Sequence, residues 1–205
     1  AERLVQDLQS FLPSGERAHL FPEREVSREA GQGGRAADPE RISILQSLDA
    51  GAPLLVVAPI RAMLQPTVRV EHLQRGKISL RQGELIDLEL LLELLLNEGY
   101  HRVPMVERRG EVSVRGGIVD VYPITGNPVR MELFGDEVES MRRFDVDTQR
   151  SSTPVQEVLL LPAREDVEGA WLSDYLPKRS CICLEEPAQL RLNAMEWYKE
   201  WAEQG

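Results

Sequence analysis

The residues in this 205-residue chain that could do chemistry are few, and their spacing does not bring them together. A metal-assisted nuclease or hydrolase needs carboxylates converging on one ion. Asp120 and Asp136 are the available pair, with no further ligands at metal-binding spacing beside them. Asp136, Glu137 and Glu139 make a local carboxylate cluster that reads as a hairpin turn and a solvated face rather than as an acid and a base. His19, His72 and His101 are isolated from one another and from cysteine, without H-E-x-x-H or H-x-x-E-H spacing. Cys181 and Cys183, the two cysteines, form C-x-C, too close for an easy disulfide and without the second pair a zinc site needs, so they are expected as structural thiols on one strand. Nucleotide chemistry is no better supported. There is no G-x-x-x-x-G-K-[ST] run to cradle a triphosphate, and in Gly31-Gln32-Gly33-Gly34 the third position of a dinucleotide fingerprint falls on Ala36, with no clear strand before it, so a flexible loop is expected. The chain is therefore expected to have no active site, no cofactor and no metal.

Composition bears on partners. With 42% hydrophobic and 28% charged residues the chain can bury a core, and disorder is disfavoured. A formal charge of -10 and a pI near 4.9 have the wrong sign for broad binding to nucleic-acid phosphates. One stretch runs against this: residues 61 to 81 carry Arg61, Arg69, Arg75, Lys77 and Arg81 against Glu71 alone, which could touch a phosphate backbone but more often is a solvated face paired with acids elsewhere. No apolar run approaches the roughly 20 residues that span a bilayer, and no basic-plus-apolar leader opens the chain, so a cytoplasmic location is expected.

The elements that must position any functional residue follow from periodicity. Leu4, Val5, Leu8, Phe11 and Leu12 recur at helical spacing up to Pro13, with no initiator Met before them, so the chain is expected to be a piece of a longer protein. Leu20-Phe21 before Pro22 is a short strand at best. Residues 27 to 40 read as a polar, glycine-rich loop, ending where Asp38 caps a helix with Pro39 in its first turn and Ile42, Leu45 and Leu48 on one face. The apolar run at 53 to 59 predicts a central parallel strand covered on both sides. From residue 76 the pattern changes. An apolar helix stops at Gly99. Strand-like runs then follow at Val103 to Glu107, Glu111 to Arg115, Ile118 to Tyr122, and Val129 to Phe144 folded on Gly135-Asp136. Residues 155 to 163 return to a buried-strand pattern, followed by a strand in CICLEE and an amphipathic end with Met195, Trp197, Tyr198 and Trp201. The expected architecture is α/β over residues 1–75, an inserted α+β unit over 76–150, and a return to the α/β domain over 151–205.

With no catalytic constellation, function is sought on the surface. If Val112 and Val114 face the core, strand alternation turns Glu111, Ser113 and Arg115 outward. If Val129, Met131 and Leu133 face the core, Arg130, Glu132 and Phe134 lie on the open face. An exposed aromatic beside an arginine is the composition of a protein-binding hot spot. Equally, Phe134 could fold over the hairpin end as a satellite of the core, with Arg115 and Arg130 paired to Glu132 or nearby acids.

At these residues the sequence resembles a known family. EGYHRVPMVERRGEVSVRGGIVDVYPI, PVRMELFGDEVESMRRFDVDTQRS and LLLPARE are similar to the N-terminal region of bacterial transcription-repair coupling factors (Mfd), the region related to the excision-repair protein UvrB; the match covers residues 76 to 165 most strongly. Gly117 stands where UvrB-like sequences usually carry an acidic residue, and D-x-D-T-Q-R-S also favours the coupling factors. The resemblance implies a partial, degenerate helicase-like (P-loop-type) α/β domain without a working phosphate loop, carrying a small inserted α+β domain that recruits the repair protein UvrA. It places the family's UvrA-contacting arginines and phenylalanine on Arg115, Arg130 and Phe134. It also implies that the longer parent is an ATP-driven DNA translocase that meets RNA polymerase through parts absent here, and that this chain, lacking the domain thought to cover the UvrA face, binds UvrA constitutively. The alternative is a UvrB-like module that helps load damaged DNA, which would need a long aromatic hairpin that the sequence does not offer.

Overall fold

In the computed structural model, which describes residues 1–24, 35–165 and 169–202, mixed α and β elements follow each other in the order α1 (Glu2–Gln9), β1 (Ala18–Leu20), β2 (Arg35–Ala36), α2 (Pro39–Asp49), β3 (Leu55–Val57), α3 (Ile60–Met63), α4 (Val70–Arg75), β4 (Ile78–Arg81), α5 (Leu88–Asn97), β5 (His101–Arg102), β6 (Glu111–Arg115), β7 (Ile118–Tyr122), β8 (Val129–Phe134), β9 (Glu137–Phe144), β10 (Ser151–Pro154), β11 (Glu157–Leu160), β12 (Arg164–Glu165), a 3-10 turn at Leu172–Tyr175, and α6 (Pro187–Ala202). The glycine cluster at Gly31 to Gly34 lies outside the described residues.

Local chemistry accounts for the helix ends. The Asp38 carboxylate accepts from the backbone N–H of Glu40 at 2.9 Å and of Arg41 at 3.0 Å, with Pro39 at the first helical position. Asp87 caps α5 in the same way, and Gly99, at φ 90°, ends it in the left-handed conformation expected of a glycine terminator. Replacing Asp38 with Ala should therefore cost about 1 kcal/mol of stability. A urea titration checks this, and an unchanged midpoint would show that α2 does not depend on its cap.

The main sheet has six strands in the order β10-β9-β8-β7-β6-β5, antiparallel except for β5 on β6. Its inner face is Val112, Val119, Val121, Val129, Met131, Val138 and Met141, all buried and joined in one apolar cluster with Leu91 and Leu95 of α5. The β8–β9 hairpin turns on Gly135-Asp136, with Gly135 at φ 61°. One irregularity sits between Glu132 and Leu133, where β9 carries an extra residue and the register shifts. Residues 83–86 add to the sheet beyond β9: Gly83 N–H donates to Val138 O at 2.8 Å, Val138 N–H to Glu84 O at 2.9 Å and Ile86 N–H to Asp136 O at 2.8 Å, with Leu85 paired antiparallel to Glu137.

Three expected strands differ. Residues 53–59 do not form a central strand covered on both sides: β3 is three residues long, pairs in parallel with β1 alone among the described residues, and leaves Leu55 exposed. Residues 103–107 are not a strand; the pairing falls earlier, at His101–Arg102, and the chain then crosses the sheet as a loop. CICLEE forms no strand and ends in a bend, with Cys181 and Cys183 both exposed, so the two thiols are not core residues of a strand. The first helix also ends earlier than Pro13, at Gln9, which leaves Phe11 exposed. The 155–163 run does form a strand, β11, antiparallel to β4.

A buried charge cluster ties the chain's distant parts together. Glu165, fully buried, accepts from Arg24 Nη1 at 2.7 Å and lies 3.8 Å from Nε of the fully buried Arg41, whose guanidinium stacks 4.2 Å from the Phe21 ring centroid and donates to Pro22 O. Burial pushes the Glu165 carboxyl above its usual range, opposed by both guanidiniums.

Candidate functional site

The outer face of the β6–β9 sheet carries the residues that the sequence put forward. Across one register row stand Arg115, Ile118, Glu132 and Ser140; across the next stand Ser113, Asp120, Arg130 and Arg142. Opposed residues of an antiparallel sheet share a face, so Arg115 and Arg130 lie together, with Phe134 on the same parity of β8 about 13 Å beyond Arg130.

Asp120 is the hub of this face. Its carboxylate is 1% exposed and receives both arginines: Arg130 donates to it through Nε at 2.6 Å and Nη2 at 2.8 Å, and Arg115 through Nη2 at 2.7 Å. These charge-assisted bonds, bidentate from Arg130, fix both guanidinium planes. They also hold the Arg130 guanidinium above its ordinary value, the hydrogen bond to Asp120 being the largest cause. The partner of the arginines is therefore Asp120 rather than Glu132, whose own carboxylate accepts from Ser140. With both oxygens engaged by guanidinium, Asp120 is a structural anion, and Asp136 lies away from it in the β8–β9 turn. No group of three or more His, Cys, Asp or Glu able to hold a metal occurs among the described residues.

The three candidate residues differ in exposure. Phe134 is 77% exposed, so it does not fold over the hairpin end as part of the core. Its lateral neighbours explain this: on one side the β6–β7 turn offers Gly116 and Gly117, and on the other stands Glu137. Gly117 N-terminal to Ile118 accepts from Leu133 N–H at 2.7 Å, and a Cβ there would meet Leu133 O at 2.8 Å, so the strands close up only around glycine. The Arg115 side chain is 49% exposed, half of it available to a partner. Arg130 departs from the sequence expectation, with its side chain only 15% exposed. The loop after β9 covers it: Arg130 Nη1 donates to Gln149 O at 3.0 Å, and the guanidinium sits 5.0 Å from the Phe144 centroid. Gln149, at φ 58°, is held by its own amide donating to Val106 O and Val146 O. Ser113, also expected outward, is buried, because the 103–107 segment crosses that edge and Pro104 O accepts its hydroxyl.

Three cations of the basic stretch are paired with acids elsewhere. Lys77 bonds Asp49, Arg81 lies 3.3 Å from Glu157 and Arg61 lies 3.4 Å from Glu200. The chain is expected to leave duplex DNA unshifted in a gel assay at physiological salt. A shift abolished by Arg75→Glu with Lys77→Glu would contradict that pairing.

Comparison with known proteins gives the same direction as the motifs. Residues 78–165 match the family model of the UvrB interaction domain. The chain is 37% identical over 166 residues to the transcription-repair-coupling factor of Staphylococcus aureus (strain USA300), covering 80% of this chain, and 35% identical over 168 residues to that of Staphylococcus haemolyticus, covering 82%. It spans 14% of the length of each of these curated relatives. The chain is thus similar to a segment of transcription-repair-coupling factors, and the match to the UvrB interaction domain runs from β4 to β12, taking in α5 and the whole six-stranded sheet.

Proposed function

We propose that this chain, with its UvrB interaction domain match and its similarity to transcription-repair-coupling factors, is the non-catalytic module of such a factor that recruits UvrA. The observation that carries this reading is Phe134, a 77% exposed aromatic on the same sheet face as a half-exposed Arg115, inside the matched domain. Phe134 supplies apolar area at low entropic cost, and Arg115 supplies a planar donor pre-oriented by Asp120. Arg130 belongs to the same site, fixing Asp120 and hence the Arg115 plane and presenting what remains of its exposed edge.

In this reading residues 1–75 and 151–205 are the partial, degenerate helicase-like domain and 76–150 its insertion, working in the cytoplasm. Among the described residues no helix is long and apolar enough to cross a membrane. RNA polymerase and DNA would be partners of the longer protein through its other parts, and UvrA the partner of this one. Titrating the chain against UvrA and, separately, against a damaged duplex tests the reading. Saturable binding to UvrA without binding to the duplex is expected. Binding to the duplex alone would favour DNA loading and overturn it.

A further inference from the structure

Apart from Phe11, the two most exposed large apolar side chains among the described residues are Phe134 at 77% and Leu85 at 76%. They are 49 residues apart in sequence and share one register row, since Phe134 pairs with Glu137 on one side and Leu85 pairs with Glu137 on the other. Both pairings are antiparallel, so all three side chains emerge on one face, with the apolar pair two strand spacings, about 10 Å, apart. Leu85 is not exposed by fraying: its neighbours Glu84 and Ile86 are bonded to β9 through the backbone, Ile86 is 9% exposed on the opposite side, and α5 is capped two residues later by Asp87. The backbone holds a leucine rigidly in the open beside an aromatic held the same way.

We propose that Leu85 is a second apolar anchor of the partner-binding face, and that the partner surface presents two apolar depressions about 10 Å apart with a cationic or N–H donor group between them to receive Glu137. This rests on the reading that the face binds UvrA. The partner must therefore reach past the β8–β9 hairpin tip onto the 83–86 segment, so the interface is wider than the Arg115, Arg130 and Phe134 set. Exposed Glu137, lying between the anchors, adds selectivity, because a partner without a donor there would bury an unpaired carboxylate.

The experiment is a UvrA titration of Leu85→Ala, Leu85→Met and Phe134→Ala beside the parent chain, each with a thermal melt. Leu85→Ala is expected to weaken binding about tenfold with an unchanged melt, and Leu85→Met, which restores apolar reach, to bind within about twofold of the parent. Parental affinity for Leu85→Ala alongside weakened Phe134→Ala overturns the second anchor while the face itself stands. Parental affinity for both removes the face as the UvrA site and the inference with it. Should Leu85→Ala lower the melt, its affinity is read on the folded fraction: about tenfold weaker binding there, with Leu85→Met near the parent, supports the anchor, and parental binding there overturns it.

Discussion

Phe134→Ala is expected to lower affinity for UvrA by roughly 2 kcal/mol or more, about thirtyfold, while changing fold stability by well under about 1 kcal/mol. The two halves of this result have one cause. A ring that is 77% exposed contributes little to the core, so its removal opens no cavity. The same ring, buried against a partner, would carry a large share of the interface's apolar area. Neither the bulge at Glu132/Leu133 nor the glycine-bounded flank depends on the ring, so the hairpin should keep its register. For a chain of this size about 1 kcal/mol moves the melting midpoint by roughly 2–4 °C, so a melt resolves the stability half and a titration the binding half. A drop of several kcal/mol in stability would mean that the ring serves the fold.

Arg130→Ala should act in the opposite way, chiefly on the fold. It removes the bidentate pair to Asp120, the bond to Gln149 O and the stacking on Phe144, and leaves a carboxylate that is 1% exposed with Arg115 as its one remaining cation. Removing one partner of a buried pair strands the other charge, so a loss of about 3 kcal/mol is expected, with a midpoint about 6–12 °C lower. Arg115→Ala, taken from a side chain that is 49% exposed, should cost much less stability, since the bidentate arginine still neutralises Asp120. Denaturant titrations of the two variants check the contrast. Equal losses would show that Asp120 does not depend on which arginine remains. A loss of UvrA binding by Arg130→Ala would therefore have to be read on the folded fraction, whereas a loss by Arg115→Ala would read the contact directly.

Strand parity put Phe134, Arg115, Ser113 and Arg130 on the outer face, and the exposure expected from it held for the first two and failed at Ser113 and Arg130 for one reason. Alternation says which side of a sheet a residue is on, and it is silent about what later crosses that side. Here the 103–107 loop covers Ser113 and the 145–150 loop covers Arg130, the first through Pro104 O and the second through Gln149 O. Both loops lie on the open face through long-range bonds that no local pattern signals, such as Gln149 to Val106 across 43 residues. Leu85 was hidden in the same way. Its pairing with the tip of a hairpin fifty residues later is a tertiary event that no local pattern signals. Asp120 was visible as a carboxylate but not as a hub, since its two arginines come from neighbouring strands. Arg41 shows the converse limit: on the helix face that Ile42, Leu45 and Leu48 mark as apolar, a fully buried arginine could be anticipated only by knowing that Glu165 would meet it.

The most direct test of the central claim is amide hydrogen exchange of the chain with and without UvrA. The turns at 115–117 and 134–137 and the segment 83–86 edge the proposed face, and turn amides exchange faster than ladder amides in the free chain. The account predicts added protection at these three segments on UvrA binding, with the basic stretch 61–81 unchanged. Protection confined to 61–81 or to α6, with the three segments exchanging as in the free chain, would contradict it.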